Sequence, residues 1–332
     1  MRAAAPDVDL VAAGAAPDAI LPAGIIRVAP AVSLPTNLGW ASSGLPLSAR
    51  SIQADVFHAP AYTAPLWGVP PIVITIHDVS YARRPEFYPH QVDPLRRAFY
   101  RASARRAARV VTDSAFSRSE IAAAYGIDAD RIDVVPLAAA AAFTTASGPR
   151  DLCVLHVGDL HVRRNLPMLL DVVLELRRDP RWPALKLVLA GVDRGVLTTL
   201  QQQAAAASAA SALDYVGQPN DAALARLYQR AAVFTYPSRY EGFGLPVLEA
   251  MACGAPVVAS TAASVPEVAG DAAILADPDD RRAWHDGIAA ILGHRDRAAG
   301  MSAAGVARAA TFTWARTATE TVLAYRRVVE RR

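Results

Sequence analysis

Short apolar runs that close on a polar residue recur along this chain, with amphipathic stretches between them. "PIVITIHD" (71–78), "RVVTDS" (109–114), "LCVLHVG" (152–158), "LKLVLAG" (185–191), "VFTYPS" (233–238) and "APVVAS" (255–260) are of this kind. Such runs read as buried strands, and strands alternating with helices imply βαβ units and parallel sheets. The pattern predicts helices near 91–108, 117–125, 165–179, 221–231 and 246–253, and further strands at 55–60, 132–137, 213–217 and 272–278. Before residue 50 only "DLVAAG" and "GIIRVAP" offer short strands. "AAAAAFTTASGPR" (138–150), uncharged until its end, reads as a connector. The fold expected is therefore α/β, with two doubly wound, Rossmann-like domains in tandem facing across a cleft. Their expected bounds are 1–145 and 146–312, with a C-terminal helix at 313–332 packing back towards the first domain.

Composition narrows the function classes. Of 332 residues, 53% are hydrophobic and 20% charged, enough for a large core and unlike a disordered chain. A net charge of +3 says little about partners. The two cysteines, Cys153 and Cys253, build neither a disulfide framework nor a CxxC site, so a reducing, cytoplasmic compartment is expected. No apolar run reaches the roughly 20 residues that span a bilayer. "MRAAAPDVDL" lacks a signal-peptide core. DxD patterns occur at Asp7–Asp9, Asp128–Asp130 and Asp277–Asp279, none after a convincing strand, and they read as turns and caps. With no His/Cys cluster of ligand spacing, no metal is expected.

The densest chemistry lies in "EGFGLPVLEAMACGAPVVAS" (241–260). Glu241 follows a strand end; Gly242 and Gly244 let the backbone bend and approach a ligand. Pro246 suits the first turn of a helix, which aims the amides near Gly244 and Leu245 at an anion, most simply a phosphate. Glu249, one turn into that helix, can accept from paired ribose hydroxyls, and Glu241 can do so for a second sugar. A phosphate between two polyols describes a nucleotide sugar. Arg163 and Arg164 at a helix start oppose the helix dipole, which again points to an anionic ligand. His77, at a strand end, lies where sites of such sheets lie, whereas His58 is equally well a core histidine. Arg97, Arg101, Arg105 and Arg109 fall on one face of a helix at 95–109, either solvated or docking on an anionic membrane surface.

"PSRYEGFGLPVLEAMACGAPVVAS" resembles the signature of the family-four retaining glycosyltransferases, which have the GT-B fold. "VITIHDVSYARRPEFYP", "RRAARVVTDSAFSRSEIAAAYGI", "HVGDLHVRRNLPMLL" and "TAASVPEVAGDAAILADPDD" resemble further family segments in family order, over about 52–330. The resemblance implies that 146–312 binds a nucleotide sugar and that 1–145 lies on the acceptor side. It implies that Glu241 contacts the donor sugar with the amides of Phe243, Gly244 and Leu245, and that Glu249 holds the ribose. Gly158, Gly217 and Gly242 join the donor-binding set, His77 meets the sugar from the other domain, and Arg163 and Arg164 neutralise the departing diphosphate. Family members usually carry lysine where Arg164 stands, and many have arginine where this chain has Asp159.

The activity implied is transfer of a hexose from a nucleotide diphosphate sugar to a hydroxyl acceptor in glycan or glycolipid synthesis. Anomeric configuration is retained and no cofactor is used. "VRRNL" and "IHDVSY" resemble the mannosyltransferase-like subset, which makes GDP-mannose the first donor expected and UDP-glucose or UDP-N-acetylglucosamine the alternatives. A peripheral contact with the inner face of an anionic membrane accompanies a lipid-linked acceptor; no nucleic-acid partner is expected. The family's usual first strand and glycine-rich loop are not recognised, and "PLAAAAAF" replaces a usual Gly-Val-Asp. A truncated chain that binds nucleotide sugar without catalysis is therefore the rival expectation.

Overall fold

The structure is a computed structural model that describes residues 5–13, 21, 25–28, 46, 53–88 and 93–330. By its internal contacts the chain forms two units, one of 1–136 with 314–332 and one of 137–313.

In the first unit β1 (Val11–Ala13) and β2 (Ile26–Val28) form a parallel pair. The family's glycine-rich loop, sought in the first fifty residues, concerns positions that lie largely outside those described. Then β3 (Phe57–Ala59), β4 (Ile72–Thr75), β5 (Arg109–Thr112) and β6 (Ile132–Val134) make a four-stranded parallel sheet in that order. Every residue of β4 and β5 is buried, as expected of parallel strands covered on both faces. Between them run α1 (Ser80–Arg83) and α2 (Pro94–Arg106), and after β5 runs α3 (Ala115–Tyr125). Asp93 caps α2 by accepting from the Arg96 amide, and Ser114 caps α3 by accepting from the Ser117 amide. Ile72, Ile74, Val110, Ile121 and Tyr125 share the core on that face.

The expected arginine face is corrected here. The helix stops at Arg106, and Arg109 is buried in β5, where its Nη2 donates to Asp133 Oδ1 at 2.7 Å. Arg105 Nε donates to the Tyr125 carbonyl at 2.7 Å while Arg101 is exposed, so the four arginines do not share one surface of a helix.

The second unit follows in strict alternation. Its elements are β7 (Asp151–Val157), α4 (Leu166–Leu176), β8 (Lys186–Ala190), α5 (Leu197–Ala206), β9 (Leu213–Tyr215) and α6 (Asp221–Arg230). They continue with β10 (Ala231–Tyr236), α7 (Leu245–Ala252), β11 (Val257–Ser260), α8 (Val265–Ala269) and β12 (Ile274–Ala276), then α9 (Arg281–Gly293) and α10 (Arg295–Ala309). The six strands are parallel and ordered β12-β11-β10-β7-β8-β9. The chain therefore winds one way from β7 and the other way from β10, and the strand order reverses between these two neighbours. Leu166, Leu169, Leu170 and Val173 bury one face of α4 at helical spacing. The connector belongs to this unit, because Phe143 is buried against Tyr228, with ring centroids 5.8 Å apart.

The last helix, α11 (Trp314–Val329), belongs to the first unit, where Ala324 and Val328 pack with Val73, Val111 and Val135. His58 fastens it: one ring nitrogen lies 2.6 Å from Tyr325 Oη and the other 2.8 Å from Thr75 Oγ1. Burial pushes its pKa down to about 4, so His58 is a neutral, satisfied interior group.

At the strand ends of the second unit the backbone itself is crowded. Gly191 has φ 143°, and a Cβ there would lie 2.1 Å from the Gly158 carbonyl oxygen. Gly191→Ala should therefore destabilise the fold by about 2–4 kcal/mol, from the strained φ and the backbone clash together. Urea denaturation of the two proteins measures it, and an unchanged midpoint would contradict the close approach.

Candidate functional site

The loops leaving β7 and β10 meet at the point where strand order reverses, and their charged residues converge there. After β7 the chain turns through Gly158 (φ 132°) into one turn of 3-10 helix, Val162–Arg164. Asn165, left-handed at φ 55°, ends that turn and starts α4. The guanidinium of Arg164 lies over Gly158, since a Cβ there would meet Nη2 at 3.1 Å. A side chain at 158 would crowd it.

Arg164 is 6% exposed and Glu241 is 6% exposed. Arg164 Nη1 lies 2.5 Å from Glu241 Oε1 and also donates to the Tyr236 hydroxyl, with the guanidinium 4.8 Å from that ring's centre. Ser238 Oγ donates to the same carboxylate oxygen. Arg163 Nη1 donates to the Tyr240 carbonyl at 3.1 Å and sits 3.5 Å from Glu241 Oε2. Ser264 Oγ lies 2.9 Å from both the Glu241 and Phe243 carbonyls and pins the loop. Two guanidinium groups thus share one buried carboxylate, and Arg164 Nε has no hydrogen-bond partner among the described residues.

The loop then opens α7. Gly244, with φ 104°, is its N-cap, Leu245 and Pro246 lie in its first turn, and Gly242 and Phe243 are buried before it. The first amides of a helix have no intrahelical acceptor, so this end suits a phosphate. Glu249 is half-buried and accepts from Tyr228 Oη at 2.9 Å. Burial pushes its pKa up to about 7. Gly217 closes β9 two strands away, where its carbonyl accepts from the Gly191 amide at 2.7 Å. The structure therefore groups Gly158, Arg163, Arg164 and Glu241 closely, and Glu249 follows on the helix that Gly244 begins. Asp159 instead pairs with Arg194 at 2.9 Å on the surface.

His77 belongs to the other unit, just beyond β4. Its Nδ1 is 2.8 Å from Asp113 Oδ2, beyond β5, and this hydrogen bond raises its pKa. The reading of the sequence missed Asp113, although "RVVTDS" had marked that strand end. It also missed His156, a polar residue inside the apolar run of β7. His156 Nδ1 donates to the Thr235 carbonyl at 3.1 Å, and the ring stacks on Tyr236 at 5.8 Å. Burial and Arg164 push its pKa down to about 3, so a neutral ring supports the tyrosine beneath Arg164. Among the described residues no group of three or more His, Cys, Asp or Glu could hold a metal ion, and no helix is long and apolar enough to cross a membrane. Asp277 and Asp279 form a turn, with the Asp279 amide donating to Asp277 Oδ1 at 2.8 Å.

Comparison with known proteins adds the following. Residues 142–308 match the family described as Glycosyl transferases group 1, and residues 1–141 match Glycosyltransferase Family 4. The chain is 34% identical over 291 residues to O-antigen chain mannosyltransferase B of Escherichia coli, covering 83% of this chain and 75% of that protein. It is 29% identical over 227 residues to D-inositol 3-phosphate glycosyltransferase of Nocardia farcinica, covering 63% of this chain and 50% of that one. Among solved structures it superposes on sucrose-phosphate synthase from Thermosynechococcus elongatus with a TM-score of 0.77 at 20% identity, over 99% of this chain and 91% of that chain.

Glu249 yields a pH test that needs no ligand. Its folded pKa of about 7 lies above the ordinary 4.5, so the folded state binds the proton more tightly. Its contribution is most favourable below pH 4.5 and is lost as pH rises to about 7. The loss is of order 3 kcal/mol by linkage. Glu249→Gln keeps an acceptor for Tyr228 and removes the titration. The variant should gain on the wild type between pH 5 and pH 8 in urea melts; a constant difference would contradict the burial.

Proposed function

The chain belongs to the glycosyl transferases group 1, has the GT-B fold and is a glycosyltransferase; from that premise we propose that it transfers mannose from GDP-mannose to a hydroxyl acceptor, with retention at the anomeric carbon. The observation that carries the donor site is the buried Arg163–Arg164–Glu241 cluster at the strand-order reversal. A nucleoside diphosphate is the leaving group whose charge those guanidiniums and the α7 amides would stabilise as it grows. The acceptor oxygen bonds to the anomeric carbon on the face from which the diphosphate oxygen departs. The hydroxyl proton passes to that departing oxygen. Catalysis on this account is positioning plus electrostatic stabilisation and uses no protein nucleophile.

Each site residue then has a task. Glu241 Oε1 is engaged by Arg164 and Ser238, while Oε2 has only the longer contact with Arg163. A carboxylate has about four acceptor sites, so Oε2 can still accept a sugar hydroxyl. Glu249 accepts from the ribose, and His77 acts in the transfer step. Gly158, Gly217 and Gly242 let the backbone approach the nucleotide, and the amides of Phe243, Gly244 and Leu245 face the phosphates.

Mannose is favoured by the 34% identity to a protein named a mannosyltransferase. The 29% identity to a D-inositol 3-phosphate glycosyltransferase favours a second reading, the same chemistry with another donor sugar. An acceptor in glycan or glycolipid synthesis fits both, with peripheral membrane contact if it is lipid-linked.

A calorimetric and thermal-shift panel of GDP-mannose, UDP-glucose, GDP and guanosine separates these readings. Saturating GDP-mannose at about 100 times Kd should add near 2.7 kcal/mol of stability. Arg163→Ala should weaken GDP-mannose and GDP by about tenfold and leave guanosine unchanged, because only the first two carry the diphosphate. Selective stabilisation by UDP-glucose would move the assignment to the other donor. No response to any donor from the folded chain would overturn the donor site, whereas donor binding without GDP release would favour an inactive, nucleotide-sugar-binding protein.

A further inference from the structure

His77 is clamped twice by one short segment. Its ring nitrogen Nδ1 faces Asp113 Oδ2 at 2.8 Å, and its carbonyl oxygen accepts from Ser117 Oγ at 3.0 Å. Asp113 is the residue after β5, and Ser117 lies in the first turn of α3, which Ser114 caps. The Asp113 side chain is 4% exposed while that of His77 is 42% exposed. One edge of the imidazole is therefore tied to a buried carboxylate, and Nε2 is the nitrogen left for a ligand. The Tyr62 ring meets the imidazole edge-on, with centroids 6.4 Å apart. Tyr62 itself holds φ 45°, a left-handed conformation unusual for a large side chain, with its amide donating to the Thr75 carbonyl at 3.1 Å.

We propose that Asp113 is a positioning residue for the transfer reaction, fixing His77 as the Nδ1–H form so that Nε2 is presented in one orientation. The proposal rests on the reading that His77 acts in transfer. A neutral imidazole offers two tautomers, and the hydrogen bond made by one nitrogen decides what the other can do. A carboxylate accepts only, so it selects a proton on Nδ1. The ionisable groups around the ring are Asp113, Asp78 beside it in the chain, and Tyr62. Asp78 is occupied elsewhere: its Oδ1 accepts from the Ser80 amide at 2.9 Å and from Ser80 Oγ at 2.8 Å. Asp113 is left as the group that orients the ring. Asparagine at that place can also donate from its amide nitrogen, which would select the other tautomer.

The test compares the full chain with Asp113→Asn and His77→Ala, using histidine-labelled nitrogen NMR and GDP release from GDP-mannose with water as acceptor. In the wild type the neutral His77 ring should carry its proton on Nδ1 and titrate above 6.5. In Asp113→Asn the titration should fall and the tautomers mix. Its kcat should drop by about 10–100-fold at nearly constant KM, as for other residues that orient a functional histidine. A merely structural aspartate would move neither the tautomer nor the balance of kcat against KM. Wild-type tautomer or wild-type kcat in Asp113→Asn overturns the positioning role while leaving the reading of His77 intact. Wild-type turnover in His77→Ala overturns that reading and the proposal with it. Should the Asn variant not fold, Asp113→Ser, which leaves water room at the carboxylate's place, is read in the same way.

Discussion

One buried carboxylate organises the second unit's charged loops. Glu241 gathers Arg164, Ser238 and, more loosely, Arg163. These residues come from loops after two different strands, so the carboxylate joins the two sides of the sheet where its winding reverses. Burying one cation with one anion rarely adds stability over a well-packed apolar pair, because desolvation offsets the attraction. On the proposed reading the donor's diphosphate would bring further negative charge beside these guanidinium groups. The layers beneath fit that role: Tyr236 lies under Arg164, and neutral His156 stacks on Tyr236. A charged histidine there would repel the guanidinium, and burial keeps it neutral.

Much of the second unit was legible because its pattern is nearly free of ambiguity. Apolar runs ending in Gly158, Gly191 and Ser238 can only be buried parallel strands when helices separate them, and their ends are where ligands of such sheets bind. The roles of glycine at 158 and 244 were also readable in kind. The structure adds the reason: one makes room for a guanidinium, and the other takes φ 104° before a helix. The first unit was less legible. The arginines at 97–109 have regular spacing, but spacing does not reveal where a helix ends. Ala107 and Ala108 sit between the helix and β5, so Arg109 turns inwards to Asp133. The same limit hid the fate of His58, whose partner Tyr325 is 267 residues away in sequence.

Pairs such as His77 with Asp113, or Arg164 with Glu241, are tertiary facts. Each member stands at a strand end, which sequence can mark, but which two strands are neighbours depends on the sheet order. In the first unit β4 and β5 are adjacent and bring residues 77 and 113 together; in the second β7 and β10 are adjacent and bring 164 to 241. Motif reading finds residues one segment at a time, and so named His77 without its carboxylate.

The two glutamates of the 241–249 segment show how far environment divides identical side chains. Glu241 has guanidinium groups on both oxygens. Glu249, eight residues on, has only a phenol hydroxyl, and burial raises its pKa to about 7. A hydroxyl donor stabilises a carboxylate far less than a cation does, so burial outweighs it and raises the Glu249 pKa. Hydroxyl pairs from a ribose would supply the missing donors and draw the proton off. Glu241 is therefore held by the protein's own cations, whereas Glu249, on the proposed reading, is a group whose ionisation a polyol would complete.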